Sequence, residues 1–512
     1  MPVRQPSARG FFAAALLVAL PLPALAQGAA PCAIAIVGAT VIDGNGGPAL
    51  ADATVLVRDG KFAQVGKRAD VKVPECAQKV DGAGKYLTPG FVDTNVHNAM
   101  PGSAIDYARY WDRLTDIAIE GAQLHLKYGV TSIRDSYGTL MPLLAARDQI
   151  KSGKAIGARM YVAGNIIGWG GTFSKTFRGR DPENYYEEFL NDQITQGAGE
   201  LMPWFGPDSL RVIVNAYIDK GVDFVKIGGT AHSQTDPGLV FSERQFKAIV
   251  DAVHKRGLMA ETHSTTPEGM YIALVSGIDL IQHPEVGGVP IPDEILKLLD
   301  EKRPFCSIHG NNHAGRAYQQ AMARSTAGAG GAGGASAGAA RGDPTELRKW
   351  PKPKMTEKGI EDSIRATNSK VMRGNAEKIV KTRCPITTAT DNAVAGAPEF
   401  ARDPNAWGAR EPGLGTLASI ESLVEFGMTP AQAIVAGTKN GAKALPHRIG
   451  DQLGTIEPGK IADIVMLDAD PLADIKNIRK IRMVMKDGAI IDRDKLPTNP
   501  VMYRPPSAVV PE

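Results

Sequence analysis

Between residues 90 and 392 short apolar runs return at intervals: "GFVDTNVH", "GVTSIRDS", "ARMYVAGNII", "DFVKIGG", "LMAETHS", "DLIQHPE", "PFCSI" and "ITTATDN". Amphipathic, helix-like stretches separate them. This alternation is the pattern of βα units around a parallel sheet, and eight runs predict a (β/α)8 TIM barrel in the α/β class. The next stretch, "TPAQAIVAGTKNGAKAL", predicts a helix with Thr429 as N-cap and Pro430 at its first position. On both flanks the rhythm changes. Residues 33–90 and 453–492 carry short β-type runs broken by Gly and Asp turns, which predicts one small β-sandwich built from both termini. The expected boundaries are 27–88 and 448–512 for the two parts of the sandwich, the latter with a tail, and 89–447 for the barrel.

Two insertions interrupt the βα rhythm. After the third run, the stretch from Trp169 to Phe205 holds eight of the chain's 31 aromatic residues, well above its share by length. After the seventh, "ARSTAGAGGAGGASAGAARGD" is low in complexity and offers little to bury. Both follow strands, so in a barrel they fall on the face where active sites form. The plainer readings are that the aromatics pack on one another and that the Gly/Ala stretch is a passive linker.

Residues 1–26 have the three parts of a signal peptide: Arg4 and Arg9, an apolar stretch from Phe11 to Leu22, and a small-x-small site at Ala24-Leu25-Ala26. A Sec-exported, periplasmic or secreted protein is expected. Without the two arginines the net charge falls from +3 to +1, and no later stretch is long and apolar enough to span a bilayer. Neither nucleic acid nor a membrane is therefore expected as a partner. Of the four cysteines, Cys32 and Cys76 flank one β-rich segment and are expected to pair, whereas Cys306 and Cys384 are expected to remain buried thiols.

The strand ends carry the chemistry. His97 closes the first run, Lys226 the fourth, His263 the fifth, His283 the sixth and Asp391 the eighth. A lone histidine after an apolar run is weak evidence, but a barrel gathers every strand end on one small patch. An ammonium buried there is costly, so Lys226 is expected to have a lowered pKa. Its neutral amine could combine with carbon dioxide as a carbamate, or the lysine could instead reach Asp223 or Asp391.

With these residues stand "LTPGFVDTNVH", "YGVTSIRD", "GVDFVKIGG", "GIDLIQHPE", "TATDN" and, above all, "GTIEPGKIADIVMLDADPLADI". Together they resemble the metal-dependent amidohydrolase superfamily from about Ala35 to Asp492. In its binuclear branch, strand one gives two histidines, strand four a carboxylated lysine, strands five and six one histidine each, and strand eight an aspartate. The resemblance implies two divalent metal ions, zinc first and manganese or cobalt as alternatives. Their ligands would be Asn95, His97, carboxylated Lys226, His263, His283 and Asp391.

Asn95 stands where the first histidine belongs, and an amide oxygen is a harder, weaker donor than imidazole. An Asn-x-His start resembles the phenylurea hydrolase and molinate hydrolase-like group, in which the asparagine is a working ligand. Every other ligand being present, an active enzyme is expected rather than a decayed one. A metal-bridging hydroxide would attack a polarised carbonyl carbon, with Asp391 carrying the proton to the departing nitrogen.

The expected reaction is hydrolysis of an amide, urea or carbamate C–N bond in a small molecule with an aryl or apolar group. Tyr137, Trp169, His232 and His309 are candidates to contact it. One alternative is a metallodipeptidase or N-acyl amino acid hydrolase, which would need a cation or hydroxyls for the substrate carboxylate, with Arg134, Tyr137, Arg178 and Arg180 as candidates. Another is a metal-bearing binding protein without turnover. A homo-oligomer is expected, since oligomers are common among similar enzymes.

Overall fold

The computed structural model describes residues 32–100, 102–232, 238–315, 318–323, 357–394 and 411–502. The leader at 1–26 and the Gly/Ala-rich stretch from 324 onward lie outside the described residues. Among those described, no helix is long and apolar enough to cross a membrane.

All eight apolar runs are strands: Phe91–His97, Val130–Asp135, Arg159–Val162 with Ile166–Ile167, Val225–Gly228, Ala260–His263, Leu280–Gln282, Phe305–Ile308, and Ile386–Thr388 with Asn392–Ala393. They pair in parallel as two arcs. The third run gives Arg159–Val162 to one arc and Ile166–Ile167 to the other, and the eighth run is divided in the same way. Asn392–Ala393 pairs with Phe91–His97, so the order of pairing returns to its start. Every residue of Phe91–His97 is buried, as expected when helices cover a parallel sheet.

Polar contacts cross the interior between strands that are not neighbours. Thr94 Oγ1 lies 2.6 Å from Ser307 Oγ, and Gln282 Nε2 donates to the Thr94 carbonyl at 2.9 Å. The helix after Thr429 begins with the expected cap, a reciprocal box with Gln432. It is broken by one π-helical turn at Ala436–Asn440, where the Thr438 hydroxyl donates to the Ile434 carbonyl and widens the helix.

Strands from both flanks join in one eight-stranded mixed sheet. Ile481–Lys486 pairs with Ile464–Leu467, which pairs antiparallel with Tyr86–Pro89, and this strand joins Ile34–Val41. Ile36, Val55, Phe62, Leu87, Ile464, Met466 and Met485 form one buried cluster, so both ends of the chain supply its core.

The cysteine expectation is half corrected. Cys32 and Cys76 are bonded, but so are Cys306 and Cys384. Strands seven and eight are adjacent, with Cys306 opposite Ile386, so residues 78 apart in sequence come within 6.0 Å between Cα atoms. That adjacency is not readable from spacing.

Candidate active site

The residues singled out at the strand ends converge. Asn95 and His97 alternate along one strand, and both reach Asp391: Asn95 Nδ2 donates to its Oδ1 at 2.8 Å, and His97 Nε2 lies 2.8 Å from the same oxygen. His283 Nε2 lies 3.6 Å from it. Lys226 Nζ donates to Asn95 Oδ1 at 3.3 Å. His263 joins through ring contacts, 5.0 Å between centroids to His283. Asp223 takes no part, because it binds Arg147 and His447 instead.

Two residues of this group are held in left-handed backbone, His283 at φ 56° and Asp391 at φ 54°. Side chains other than glycine adopt that region at a cost, and such strain gathers at functional sites.

The electrostatics suit a cation site. Burial lowers the Lys226 pKa below the ordinary 10.5 for a lysine, against the pull of Glu261 and Asp391. Burial likewise holds His263 and His283 well below 6.5, so both imidazoles are neutral and keep a free lone pair. Burial pushes Asp391 up, but the fields of His283 and His309 and the hydrogen bond from His97 outweigh it and keep the group a carboxylate. His97 Nδ1 and His263 Nε2 are buried without a hydrogen-bond partner, which is costly unless something else fills their lone pairs. Neutral imidazoles, a carboxylate and an amide around one cleft are a donor set that fits divalent cations.

The cleft holds about 150 Å³ and is lined by His97, Met100, Tyr137, Ile166, Trp169, Phe177, Lys226, His232, His263, Asp391 and Ala393. Trp169 lies edge-on to His263 at 4.7 Å. It can do so because Gly228 has no Cβ, which would stand 2.4 Å from the indole nitrogen. Phe177 stacks between Tyr137 and His232, at 5.4 and 4.5 Å. Other aromatics of the insertion behave as the plainer reading holds: Phe173 is buried among Tyr107, Leu190 and Ile194, while Tyr185 and Trp204 are exposed.

The arginine candidates for a substrate carboxylate do not serve. Arg134 is fully buried in an ion pair with Glu261, Nη2 to Oε2 at 2.6 Å. Arg178 donates to the carbonyls of Thr172 and Gly102, and Arg180 pairs with Glu187. Spacing could have hinted at Glu261, since it sits two residues before His263 on one strand and so shares its face. Glu285, two residues after His283, accepts the His309 backbone N–H, and burial pushes its carboxyl up to about 7. No sequence signal marked it.

His309, a substrate candidate on sequence grounds, stands among the other donors. Its Nδ1 lies 2.5 Å from His283 Nδ1, and its Nε2 lies 3.2 Å from Asn95 Nδ2. His283, His309 and Asp391 form a compact group of donor atoms able to hold an ion.

Known proteins resemble this chain in sequence and fold. The model of the Amidohydrolase family matches residues 345–491. The chain is similar to the solved structure of molinate hydrolase, with 32% identity, a TM-score of 0.79, and coverage of 94% of this chain and 99% of that one. Phenylurea hydrolase B is 28% identical, with a TM-score of 0.77 and coverage of 93% and 100%. Ochratoxinase of Aspergillus niger is 25% identical over 465 residues, 87% of this chain and 83% of its own. On this sequence and structural likeness, the chain belongs to the metal-dependent amidohydrolase superfamily and is a hydrolytic enzyme.

Proposed function

We propose that the enzyme hydrolyses an amide, urea or carbamate C–N bond in a small molecule carrying an aryl or apolar group. The observation that carries this is the meeting of the metal-competent group with an aromatic wall, Tyr137, Trp169 and Phe177, in one cleft. The names of the molinate, phenylurea and ochratoxin-hydrolysing relatives point the same way. In this reading residues 89–447 form the closed (β/α)8 barrel and the mixed sheet is the β-sandwich domain. Export by the leader and homo-oligomerisation remain part of the proposal.

Asn95, His97, Lys226 as its carbamate, His263, His283 and Asp391 would hold two divalent cations, zinc first. Bound there, such ions supply Lewis acidity and ionise water near neutral pH. The chain does the rest. The aromatic wall seats the substrate's apolar group and keeps bulk water from the cleft. Asp391, kept as a carboxylate by its neighbours, accepts the proton of the attacking water at Oδ2 and delivers it to the departing nitrogen. His97 fixes its other oxygen, Oδ1, so the proton carrier keeps its orientation. For the dipeptidase alternative, Arg134, Arg178 and Arg180 are engaged elsewhere, which leaves the Tyr137 hydroxyl in the cleft as the group to hold a substrate carboxylate.

The test is hydrolysis of a panel of N-aryl ureas, anilides, carbamates and acyl dipeptides by metal-loaded protein and by Asp391→Asn. Turnover of an aryl urea, anilide or carbamate is expected, with a loss of roughly 10²–10⁴-fold in the variant. Full activity of Asp391→Asn would remove Asp391 from the chemistry. Fully loaded protein that cleaves nothing on the panel would leave the binding-protein alternative.

A further inference from the structure

Both nitrogens of His309 lie within hydrogen-bond distance of other members of the cluster. Nδ1 meets Nδ1 of His283 at 2.5 Å, and Nε2 meets the Asn95 amide at 3.2 Å. Its backbone N–H is tied to Glu285, and its side chain is buried, so the ring is fixed from behind.

Where the two Nδ1 atoms share a proton, there are two ways to place it. If His309 donates it, His283 Nδ1 is the acceptor and Nε2 of His283 carries the ring's proton. That N–H then has only Asp391 Oδ1 at 3.6 Å to face, too long for a hydrogen bond, and no lone pair of His283 enters the cleft. If His283 donates, its Nε2 presents a lone pair toward Asp391. His309, having accepted at Nδ1, carries its own proton on Nε2 and needs an acceptor there. A half-turn of the Asn95 amide supplies one by exchanging its nitrogen and oxygen, which gives up the bonds from Asn95 to Asp391 and from Lys226 to Asn95. The oxygen then lies 2.8 Å from Asp391 Oδ1, a spacing that repels two bare oxygens but suits two donors to one cation.

We propose that His309 is a positioning residue for the metal site: it takes the Nδ1 proton of His283, leaving Nε2 of His283 free to bind, and with its own Nε2–H turns the Asn95 oxygen toward the cation. Imidazoles that bind metals usually give their second N–H to an oxygen acceptor that sets tautomer and ring orientation. Here another imidazole does so, and the same ring passes its proton on to Asn95. The chain thus has its own support for the weaker amide donor. This inference rests on the proposed metal site.

The test uses the full chain, with zinc ion alone as the probe. Zinc affinity is measured by chelator competition, and zinc content by elemental mass spectrometry, for wild type, His309→Ala and His309→Asn. Asn places a carbonyl oxygen near the position of Nδ1 and can accept the His283 proton. The expected result is a loss of roughly 10–100-fold in zinc affinity for His309→Ala, recovered in part in His309→Asn, which restores the acceptor for His283 but not the donor to Asn95. In the zinc-loaded wild type, ¹⁵N chemical shifts of His283 should show Nδ1 protonated and Nε2 bound.

Equal impairment of the two variants would mean a space-filling role and would overturn the proposal, as would unchanged affinity in His309→Ala. A proton on Nε2 of His283 in the zinc-loaded protein would do the same. Failure of the wild type itself to take up zinc is a different result: it removes the metal-site reading and this inference with it.

Discussion

The Arg134–Glu261 pair is the sharpest place to test how the interior is held. Both side chains are fully excluded from solvent. Glu261 Oε2 accepts from Arg134 Nη2 at 2.6 Å and from Nε at 3.2 Å, while the guanidinium lies over the Phe224 ring at 3.8 Å and donates to the Ala444 carbonyl. Glu261→Met keeps much of the length and removes the carboxylate. Arg134 would then be a buried cation with a carbonyl and a ring for company, and breaking such a pair on one side costs about 3–5 kcal/mol. Arg134→Met strands the carboxylate instead, with a cost of similar size. The double variant Arg134→Met/Glu261→Met leaves no charge without its partner and takes away only the donor to the Ala444 carbonyl, so it should lose no more than about 1–3 kcal/mol. The singles therefore predict a sum several kcal/mol larger than the double shows.

The assay is urea unfolding of all four proteins, followed by far-UV circular dichroism and tryptophan fluorescence, with the cycle evaluated where the two probes coincide. A double variant as unstable as the sum of the singles would refute the reasoning. It would mean that the side chains matter for packing and not as mutual charge partners. The pair also bears on the site. Glu261 is the largest field opposing the burial that lowers the Lys226 pKa, so Glu261→Met should lower that amine further.

Two more outcomes are expected. His125 Nδ1 donates to the Gly121 carbonyl within one helix, and burial lowers its pKa from 6.5 to about 4. The unfolded chain therefore binds the extra proton between those values, so stability is complete above about pH 6.5 and falls as pH drops toward 4. The loss is roughly 3 kcal/mol, and His125→Asn should flatten the measured slope by up to one proton; an unchanged slope would exclude His125 as its source. Carbamate formation at Lys226 needs the neutral amine, whose share grows as pH rises through the lowered pKa. Metal content should thus fall when the protein is prepared free of carbon dioxide and return with bicarbonate, and Lys226→Met should not respond; metal content indifferent to carbon dioxide would rule out the carbamate.

Much of this was legible in the sequence because period and position carry it. The eight β-type runs became strands, and a residue at a strand end has one place to go in a ring of parallel strands. His97, Lys226, His263, His283 and Asp391 therefore came together as expected, with Asn95 among them. What stayed hidden depends on which strands are neighbours and how far side chains reach across. Cys306 meets Cys384 only because strands seven and eight are adjacent. Arg134 meets Glu261 by crossing the interior from strand two to strand five, which no spacing rule encodes. His309 looked like a substrate contact because its two nitrogens gain meaning only once His283 and Asn95 lie on either side of them.

The small mixed sheet sets the timing of assembly. Thr88 lies against Val465, 377 positions further along the chain. At a synthesis rate of about 5–20 residues per second, roughly 20–75 s separate the two strands. Throughout that interval Tyr86–Pro89 presents an open edge, the kind of surface that recruits foreign strands. The parallel core can build outward from its own local βα units, but the sheet at the chain ends must wait for the last strand to emerge. Any variant that slows the closing of that seam should show its defect in the yield of soluble protein before it shows in the activity of the molecules that fold.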